Sequence, residues 1–148
     1  MFEKVRIATR ADEDEIIQLL HIMHIENAMM PLDVNCAKEF FARAFDKAGG
    51  IIGAIGETGN IKAMIYLLIT RFWYTKEFHL EECFNFVRPD QRKSDHARTL
   101  ITFAQDCSKT LKLPLVIGVL TNNRMEGKVR LYRRALGIPA GAFFVYGA

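Results

Sequence analysis

The order of apolar patterns along the chain is the feature that most restricts its fold. Between residues 50 and 87 three apolar runs, GIIGAIG, IKAMIYLLIT and FHLEECFNFV, follow one another without helical spacing. The turn ETGN joins the first two runs, which predicts a hairpin, and the third run predicts a further strand. The RFWYTKE segment (71–77) is predicted to be a loop. The middle of the chain is therefore expected to form three consecutive strands.

Helical patterns and single strands flank this region. A short strand, VRIAT (5–9), precedes a helix whose apolar residues recur at helical spacing. A second helix is predicted after Asp33, a third from Ser94 and a fourth over 126–136, with strands PLVIGVL (114–120) and GAFFVY (141–146) after the third and the fourth. The order β-α-α-β-β-β-α-β-α-β predicts an α/β fold in which a mixed sheet carries helices on both faces. We expect one domain over residues 1–148.

Composition argues against several classes of protein. The chain has 148 residues, half of them hydrophobic and a quarter charged, with a net charge of +3. A nucleic-acid binder shows a stronger and more patterned basic excess. The longest apolar run, 63–70, is too short to span a membrane, and early charges argue against a signal peptide. Cys36, Cys83 and Cys107 show no CxxC spacing, which is typical of reduced thiols in a cytoplasmic protein.

The segment FVRPDQRKSDHARTL (86–100) leaves a strand and begins a helix. Such a loop presents free backbone N–H groups at a helix N-terminus, where the dipole favours an anion such as phosphate. Arg88, Arg92 and Lys93 add positive charge, and Arg98 lies one turn inside the helix. The alternative is a solvated basic turn in which Ser94 is an ordinary N-cap.

Four segments together resemble the GNAT acetyltransferases. VRPDQRKSDHARTL is similar to the acetyl-CoA loop of that family, R/Q-x-x-G-x-G/A, with Arg92 and Ala97 at its ends and Asp95 in place of a glycine. VRIATRADEDEIIQLLHIMHIE resembles the opening strand and first helix, GVLTNN the end of the fifth strand, and KVRLYRRALGI the L-Y-x-[RK]-x-G-[FY] ending. MHIE, VRPDQR, IGVLT and LYRRALG most resemble small, often phage-encoded members.

The resemblance implies a mainly antiparallel GNAT sheet that binds acetyl-CoA and no metal. The pyrophosphate would lie on the N–H groups after Arg92, and the pantetheine arm would bond to the backbone of 85–87 like an added strand. Asn122 matches a position that often contacts that arm. The implied cofactor-binding residues are Asn85, Phe86, Val87, Arg88, Arg92, Lys93, Ser94, Asp95, His96, Ala97, Arg98 and Asn122.

The implied chemistry is direct attack of an amine on the thioester, which needs a base and an acid. Glu81 and Glu82 are adjacent on a strand and point to opposite faces, so at most one faces the acceptor. Glu82 is favoured, and two exposed edge carboxylates are the alternative. Tyr132 matches the tyrosine that protonates the leaving thiolate, and a core tyrosine is the alternative. His24 and Glu26 border the expected acceptor pocket.

Three functions remain open at this point. The first is an N-acetyltransferase with an unknown amine acceptor, small molecule or protein, in a monomer or homodimer. The second is a catalytically weak or inactive GNAT-like module for CoA binding or protein interaction, which Asp95 favours. The third is nucleic-acid binding, for which no binding motif is present. The basic residues that this third reading would use are Arg88, Arg92, Lys93, Lys128, Arg130, Arg133 and Arg134.

Overall fold

The computed structural model describes residues 4–121 and 125–147. Five strands and four helices lie in these ranges, with short 3₁₀ turns at Arg10–Asp12 and Pro89–Gln91. The order is β-α-α-β-β-β-α-β-α. The elements are β1 (Val5–Ile7), α1 (Glu13–Asn27), α2 (Val34–Phe45), β2 (Gly50–Ile55), β3 (Ala63–Thr70), β4 (His79–Val87), α3 (His96–Leu111), β5 (Leu115–Ile117) and α4 (Met125–Leu136).

The strands form one mixed sheet in the order β1-β2-β3-β4-β5. The first three pairings are antiparallel, and β4 pairs with β5 in parallel. The predicted mixed, mainly antiparallel α/β sheet is therefore confirmed. None of the helices within the described ranges is long and apolar enough to cross a membrane.

The sheet carries an apolar core on each face. Tyr66 and Phe86 pack with α1 and α2 on one face, whereas Ile65 and Leu80 pack with α3 on the other. β3 is buried on both faces, which explains its nearly continuous apolar sequence. Asp33 caps α2 as predicted, since its carboxylate accepts hydrogen bonds from the backbone N–H groups of Asn35 and Cys36 at 2.9 and 3.2 Å.

A β-bulge interrupts β4 at Cys83. Tyr66 pairs with Phe84 and the next β3 residue, Leu67, pairs with Glu82, so Cys83 has no partner on β3. In a regular strand Glu82 and Phe84 would point to the same face, because side chains alternate with a period of two. The extra residue, Cys83, shifts the alternation of side chains between the two faces of β4 by one position. Phe84 packs in the α1–α2 core, while Glu82 has the register of the opposite face.

The sheet opens between β4 and β5. The parallel ladder pairs Leu80, Glu81 and Glu82 with Leu115, Val116 and Ile117 and extends no further, whereas β4 continues to Val87. The backbone N–H of Arg88 bonds to Lys62 O at 2.9 Å on the β3 side. Along an antiparallel strand, successive residues direct their backbone N–H and C=O groups to alternate sides. Because Arg88 bonds toward β3, Asn85 and Val87 direct their backbone groups toward the opening.

The predicted strand over 141–146 is wrong. These residues form neither helix nor strand, and Phe144 and Tyr146 are fully exposed. β-propensity and apolar character favour a strand only where a partner edge is available, and the outer strand β5 spans three residues. The predicted strand over 114–120 is also shorter than expected, because its pairing with β4 ends at Ile117, where the two strands separate. α3 begins at His96, two residues after the predicted start, because Ser94 forms a turn through its bond to Gln91 O.

Candidate functional site

Two cavities lie where β4 and β5 separate. The first, about 300 Å³, reaches from the end of α1 to the start of α3 and is lined by Glu26, Asn85, Phe86, Val87, Arg92, Ser94 and Ala97, among others. The second, about 280 Å³, lies against α1 and the chain after β5. Asn27, Asn85, Lys128 and Tyr132 line both cavities, which are therefore neighbours along one cleft.

Glu82 and Tyr132 form a direct pair at the junction of the cavities. The Tyr132 hydroxyl donates to the Glu82 carboxylate, with Oη 2.8 Å from Oε1 and 2.9 Å from Oε2. Glu82 is 5% exposed. Burial raises the pKa of Glu82 to about 7, and the Tyr132 hydrogen bond and the Lys128 charge oppose that increase. Burial and the adjacent carboxylate raise the pKa of Tyr132 far above its ordinary value, so the phenol stays protonated.

Glu81 lies on the other face of β4. It pairs in register with Leu68, which belongs to the α1–α2 core, and it is half-buried. It lines neither cavity, as far as the described residues define them. Cys83, on the bulge, lines the second cavity, where burial together with the Glu81 and Glu82 charges raises the pKa of its thiol to about 12. Of the two adjacent glutamates, the geometry brings Glu82 to the cleft.

Asn85 presents an unused acceptor in the cleft. Its side-chain amide donates to Ala97 O at the start of α3, at 3.1 Å. Its Oδ1 is buried and has no hydrogen-bond partner among the described residues. Buried polar atoms are rarely left unpaired, so this oxygen is suited to a ligand N–H donor. The exposed backbone edge of Asn85 and Val87 beside it could hold an extended amide-containing chain.

Arg92 is directed into the first cavity and is already paired there. Its Nη2 lies 2.6 Å from Glu26 Oε1, its Nε donates to Val87 O at 3.1 Å, and its guanidinium lies over the Phe86 ring, 5.7 Å from the centroid. Glu26 is at the end of α1, so the pair joins that helix to the loop before α3. An incoming phosphate would compete with the Glu26 carboxylate for the same guanidinium.

The other basic residues of the loop lie outside the two cavities. Arg88 donates to Ile61 O at 3.2 Å, which turns it toward the β2–β3 connection. Asp95 is exposed and pairs with Arg98 at 3.5 Å rather than facing the cleft. Ser94 lines the first cavity, and Lys93, His96 and Arg98 do not. The assignment of Arg88, Lys93, Asp95, His96 and Arg98 to cofactor binding stays a prediction. Asn122 lies outside the described residues.

Sequence reasoning missed the polar network that fixes the cleft floor. Asn27 Oδ1 accepts from Thr121 Oγ1 at 2.6 Å and from Lys128 Nζ at 3.0 Å, which connects α1, the chain after β5 and α4. Asn27 is far in sequence from Thr121 and Lys128 and belongs to none of the segments that carried the resemblance. The only available signal was Lys128, four residues before Tyr132 and hence on the same helix face.

Comparison with solved structures identifies the fold. A predicted acetyltransferase from Clostridium acetobutylicum, crystallised with acetyl-CoA, superposes with a TM-score of 0.77 over 99% of this chain and 96% of its own, at 12% identity. A ribosomal-protein-alanine N-acetyltransferase from Brucella melitensis gives 0.75 over 99% of both chains at 15% identity. The chain has the GNAT acetyltransferase fold.

A further structure with this GNAT fold is an aminoglycoside 6'-N-acetyltransferase from Acinetobacter haemolyticus. It superposes with a TM-score of 0.68 over 98% of this chain and 97% of its own, at 15% identity. No protein-family model and no curated protein sequence matches the chain. At these identities the likeness establishes the fold, so the chemistry must be argued from the side chains in the cleft.

Proposed function

We propose that the protein is an acetyl-CoA-dependent N-acetyltransferase that moves the acetyl group to an amine by direct attack. The observation that carries this proposal is the buried Glu82–Tyr132 pair at the junction of two cavities. Glu82 has a pKa near neutrality, which suits a general base, and Tyr132 carries the proton that a general acid donates. Besides burial, the Glu82 charge is one cause of the raised Tyr132 pKa, so the phenol becomes a stronger acid once Glu82 has taken up a proton. Two structural neighbours are named for acetylating an alanine of a ribosomal protein and an aminoglycoside, both of which are amines.

The first cavity fits the cofactor. The unpaired Asn85 Oδ1 is suited to an amide N–H of the pantetheine arm. The edge of β4 that faces the opening is suited to its extended backbone-like chain, although Val87 O already accepts from Arg92 Nε. The phosphates would lie at the start of α3 near Ser94 and Ala97, where the helix dipole favours negative charge. Arg92 would then exchange Glu26 for a phosphate oxygen. Acetyl-CoA supplies the activated acetyl thioester.

Glu82 and Tyr132 would manage the protons of the transfer. A protonated amine cannot attack, so Glu82 passes one ammonium proton to solvent and then takes the second N–H proton as the C–N bond forms and the C–S bond breaks. Its pKa of about 7 leaves about half of it ionised at neutral pH. Tyr132 holds the proton that a leaving thiolate needs. Because the two groups are hydrogen-bonded at 2.8 Å, Glu82 can afterwards return the captured proton to Tyr132. Both groups then regain their initial protonation states.

The Arg92–Glu26 ion pair favours a second candidate. At 2.6 Å and largely buried, it engages the guanidinium group of the first cavity before any ligand arrives. A protein that retains this pair would bind CoA weakly and act as a GNAT-like binding or interaction module without turnover. The two candidates differ in whether Arg92 leaves Glu26 when the cofactor binds.

Reducing conditions and a cytoplasmic location belong to the same proposal. Cys36, Cys83 and Cys107 are all free, which favours a compartment where disulfides do not form. The relationship to small phage-type members is a further part of the proposal, supported by the sequence motifs alone. A homodimeric assembly is an expectation that rests on the family resemblance.

Calorimetry followed by a turnover assay tests the function. We expect acetyl-CoA to bind at micromolar affinity and a mixture of amines to release free CoA thiol, detected with a thiol reagent, with acetylated product in the mass spectrum. Tyr132→Phe should bind acetyl-CoA like the wild type and lose turnover. Binding without any turnover would favour the second candidate, and no binding would contradict both. A short DNA duplex that stabilises the protein when acetyl-CoA does not would instead support nucleic-acid binding.

A further inference from the structure

The second cavity has an apolar wall of limited size. Its volume of about 280 Å³ is at the small end of the range for ligand pockets. The hydrocarbon and thioether side chains in its lining come from three different parts of the fold, which are α1 with its C-terminal end, β4 and the chain after β5. These side chains are Leu20, Met23, Ala28, Phe84, Val119 and Leu120. A wall of this kind favours a ligand whose body is itself apolar, because burial then removes apolar surface from water on both sides.

The charges of the cavity allow for one ammonium group. Among the described residues that line it, Glu82 is the acidic side chain and Lys128 the basic one. A polyamine or an aminoglycoside carries several ammonium groups, and each desolvated charge needs its own partner. Lys128 would repel a second ammonium. His24 Nε2 lies 2.7 Å from Met30 O, so that ring nitrogen is already engaged.

We propose that the second cavity binds the acceptor of the transfer, and that this acceptor is a primary amine with a single positive charge and an apolar body the size of an aromatic or branched aliphatic side chain. This inference rests on the proposed acetyltransferase function. The ammonium lies against Glu82, and the apolar body lies against Phe84, Met23 and Leu120. The same chemistry occurs in a free arylalkylamine and in the amino terminus of a peptide that begins with an apolar residue.

The proton balance favours amines that ionise near neutrality. In the transfer, the acceptor ammonium first loses one proton through Glu82 to solvent, which frees the nitrogen lone pair. The lone pair then forms the bond to the acetyl carbon as the C–S bond breaks, the second N–H proton moves to Glu82, and Tyr132 protonates the leaving thiolate. An α-amino group has a pKa near 8, and an alkyl ammonium such as that of lysine has one near 10.4. Glu82, with a pKa of about 7, takes a proton more readily from the former. An α-amine with an apolar side chain therefore matches both the apolar lining of the second cavity and the pKa of Glu82.

A panel of matched acceptors tests the proposal with the full chain. Phenylalaninamide, phenylethylamine and a short peptide beginning with phenylalanine share one apolar body. The first two differ by one α-carboxamide group, which lowers the pKa of the neighbouring amine. Spermidine and kanamycin represent polycations. We expect kcat/KM for the best apolar amine to exceed that for either polycation by at least tenfold at equal ionic strength. Comparing kcat/KM for the peptide with kcat/KM for the two small amines shows whether the acceptor is the amino terminus of a chain or a free amine.

A charge placed in the wall provides the matched variant. Leu120→Glu puts a second carboxylate beside the cavity, and we expect the preference for phenylalaninamide over spermidine to fall at least tenfold. Leu111→Glu makes the same change at a leucine at the end of α3, outside both cavities and 41% exposed, and should leave the preference unchanged. A wild type that prefers spermidine or kanamycin, or equal effects of the two variants, would overturn the proposal.

Amine binding separates this proposal from the transferase function itself. Calorimetry with phenylalaninamide, in the presence and absence of CoA, requires no turnover. Saturable binding that Leu120→Glu weakens at least tenfold and Leu111→Glu does not would support the acceptor cavity even if acetyl-CoA fails to react. Turnover with some amine, combined with absent phenylalaninamide binding, would retain the transferase function and refute the acceptor class.

Discussion

Replacing Glu82 with glutamine should lower activity and raise stability at the same time. The carboxylate is buried against Tyr132, and burial raises its pKa from an ordinary value of 4.5 to about 7. In the unfolded chain the same group ionises near 4.5. Between these two values the folded state holds a proton that the unfolded state has lost, so the free energy of unfolding falls as pH rises through this window. Glutamine keeps an oxygen for the Tyr132 hydroxyl and does not titrate.

The size of the effect follows from the two pKa values. The difference between 4.5 and about 7 corresponds to roughly 3 kcal/mol of stability that the wild type loses between pH 4.5 and pH 8. The free energy of unfolding of Glu82→Gln, taken relative to the wild type, should therefore be higher at pH 8 than at pH 4.5 by up to roughly 3 kcal/mol. Catalysis should move the other way, with kcat reduced about 100- to 10,000-fold when the base is removed.

Urea denaturation at pH 4.5 and pH 8 and a pH–rate profile measure both effects. The wild-type kcat/KM should decline below about pH 7, and Glu82→Gln should lack this acid limb. Glu81→Gln is the matched control, one residue away on the other face of β4, and should keep the limb. If the stability difference between Glu82→Gln and the wild type were the same at both pH values, Glu82 would not be the buried, proton-holding group that the structure indicates. If Glu81→Gln alone removed the limb, the base would be Glu81.

Three further predictions concern the cleft. Tyr132→Phe should lower kcat about 100-fold or more and change KM by no more than a few-fold, because a general acid acts in the transition state. Steady-state kinetics in which KM rises and kcat is unchanged would contradict this prediction. Arg92→Ala should weaken CoA binding by about 1–3 kcal/mol, and Glu26→Gln should tighten it about fivefold by releasing Arg92. Calorimetry showing weaker binding by the Glu26 variant would mean that the carboxylate itself supports the site. Asp95→Asn should change CoA affinity by less than about 1 kcal/mol at low salt, since Asp95 pairs with Arg98, and a tenfold tightening would refute that orientation.

Sequence patterns predicted the elements that are defined by local regularity. The period of α1, the cap at Asp33 and the apolar run of β3 each depend on residues close together in the chain, and each is present. The strand predicted over 141–146 failed because a strand depends on a partner edge, and the apolar pattern of a segment contains no information about that edge. The same limit applies to the short β5.

The candidate site was predictable only in part, for a related reason. Glu82 and Tyr132 were selected through motif resemblance, and the structure places them 2.8 Å apart across 50 residues of sequence. The ion pair of Arg92 with Glu26 and the network around Asn27 were not predicted, because each joins side chains from elements whose relative placement the local pattern does not determine. Arg92 was expected to be available for a phosphate. Because it is paired with Glu26, a phosphate would have to compete with that carboxylate for the guanidinium.

The bulge at Cys83 connects the fold to the chemistry of the cleft. Without the extra residue, Glu82 would share a face with Phe84 and point into the α1–α2 core, where it would have no polar partner and would be costly to bury. With it, Glu82 is directed to the opening beside β5, where the Tyr132 hydroxyl meets the carboxylate and solvent is still largely excluded. Exclusion of water raises the pKa toward neutrality, and the neighbouring hydroxyl keeps the buried group hydrogen-bonded in either protonation state. One unpaired residue on β4 thus permits a carboxylate that is buried enough to act as a base near pH 7 and still accessible from the cleft.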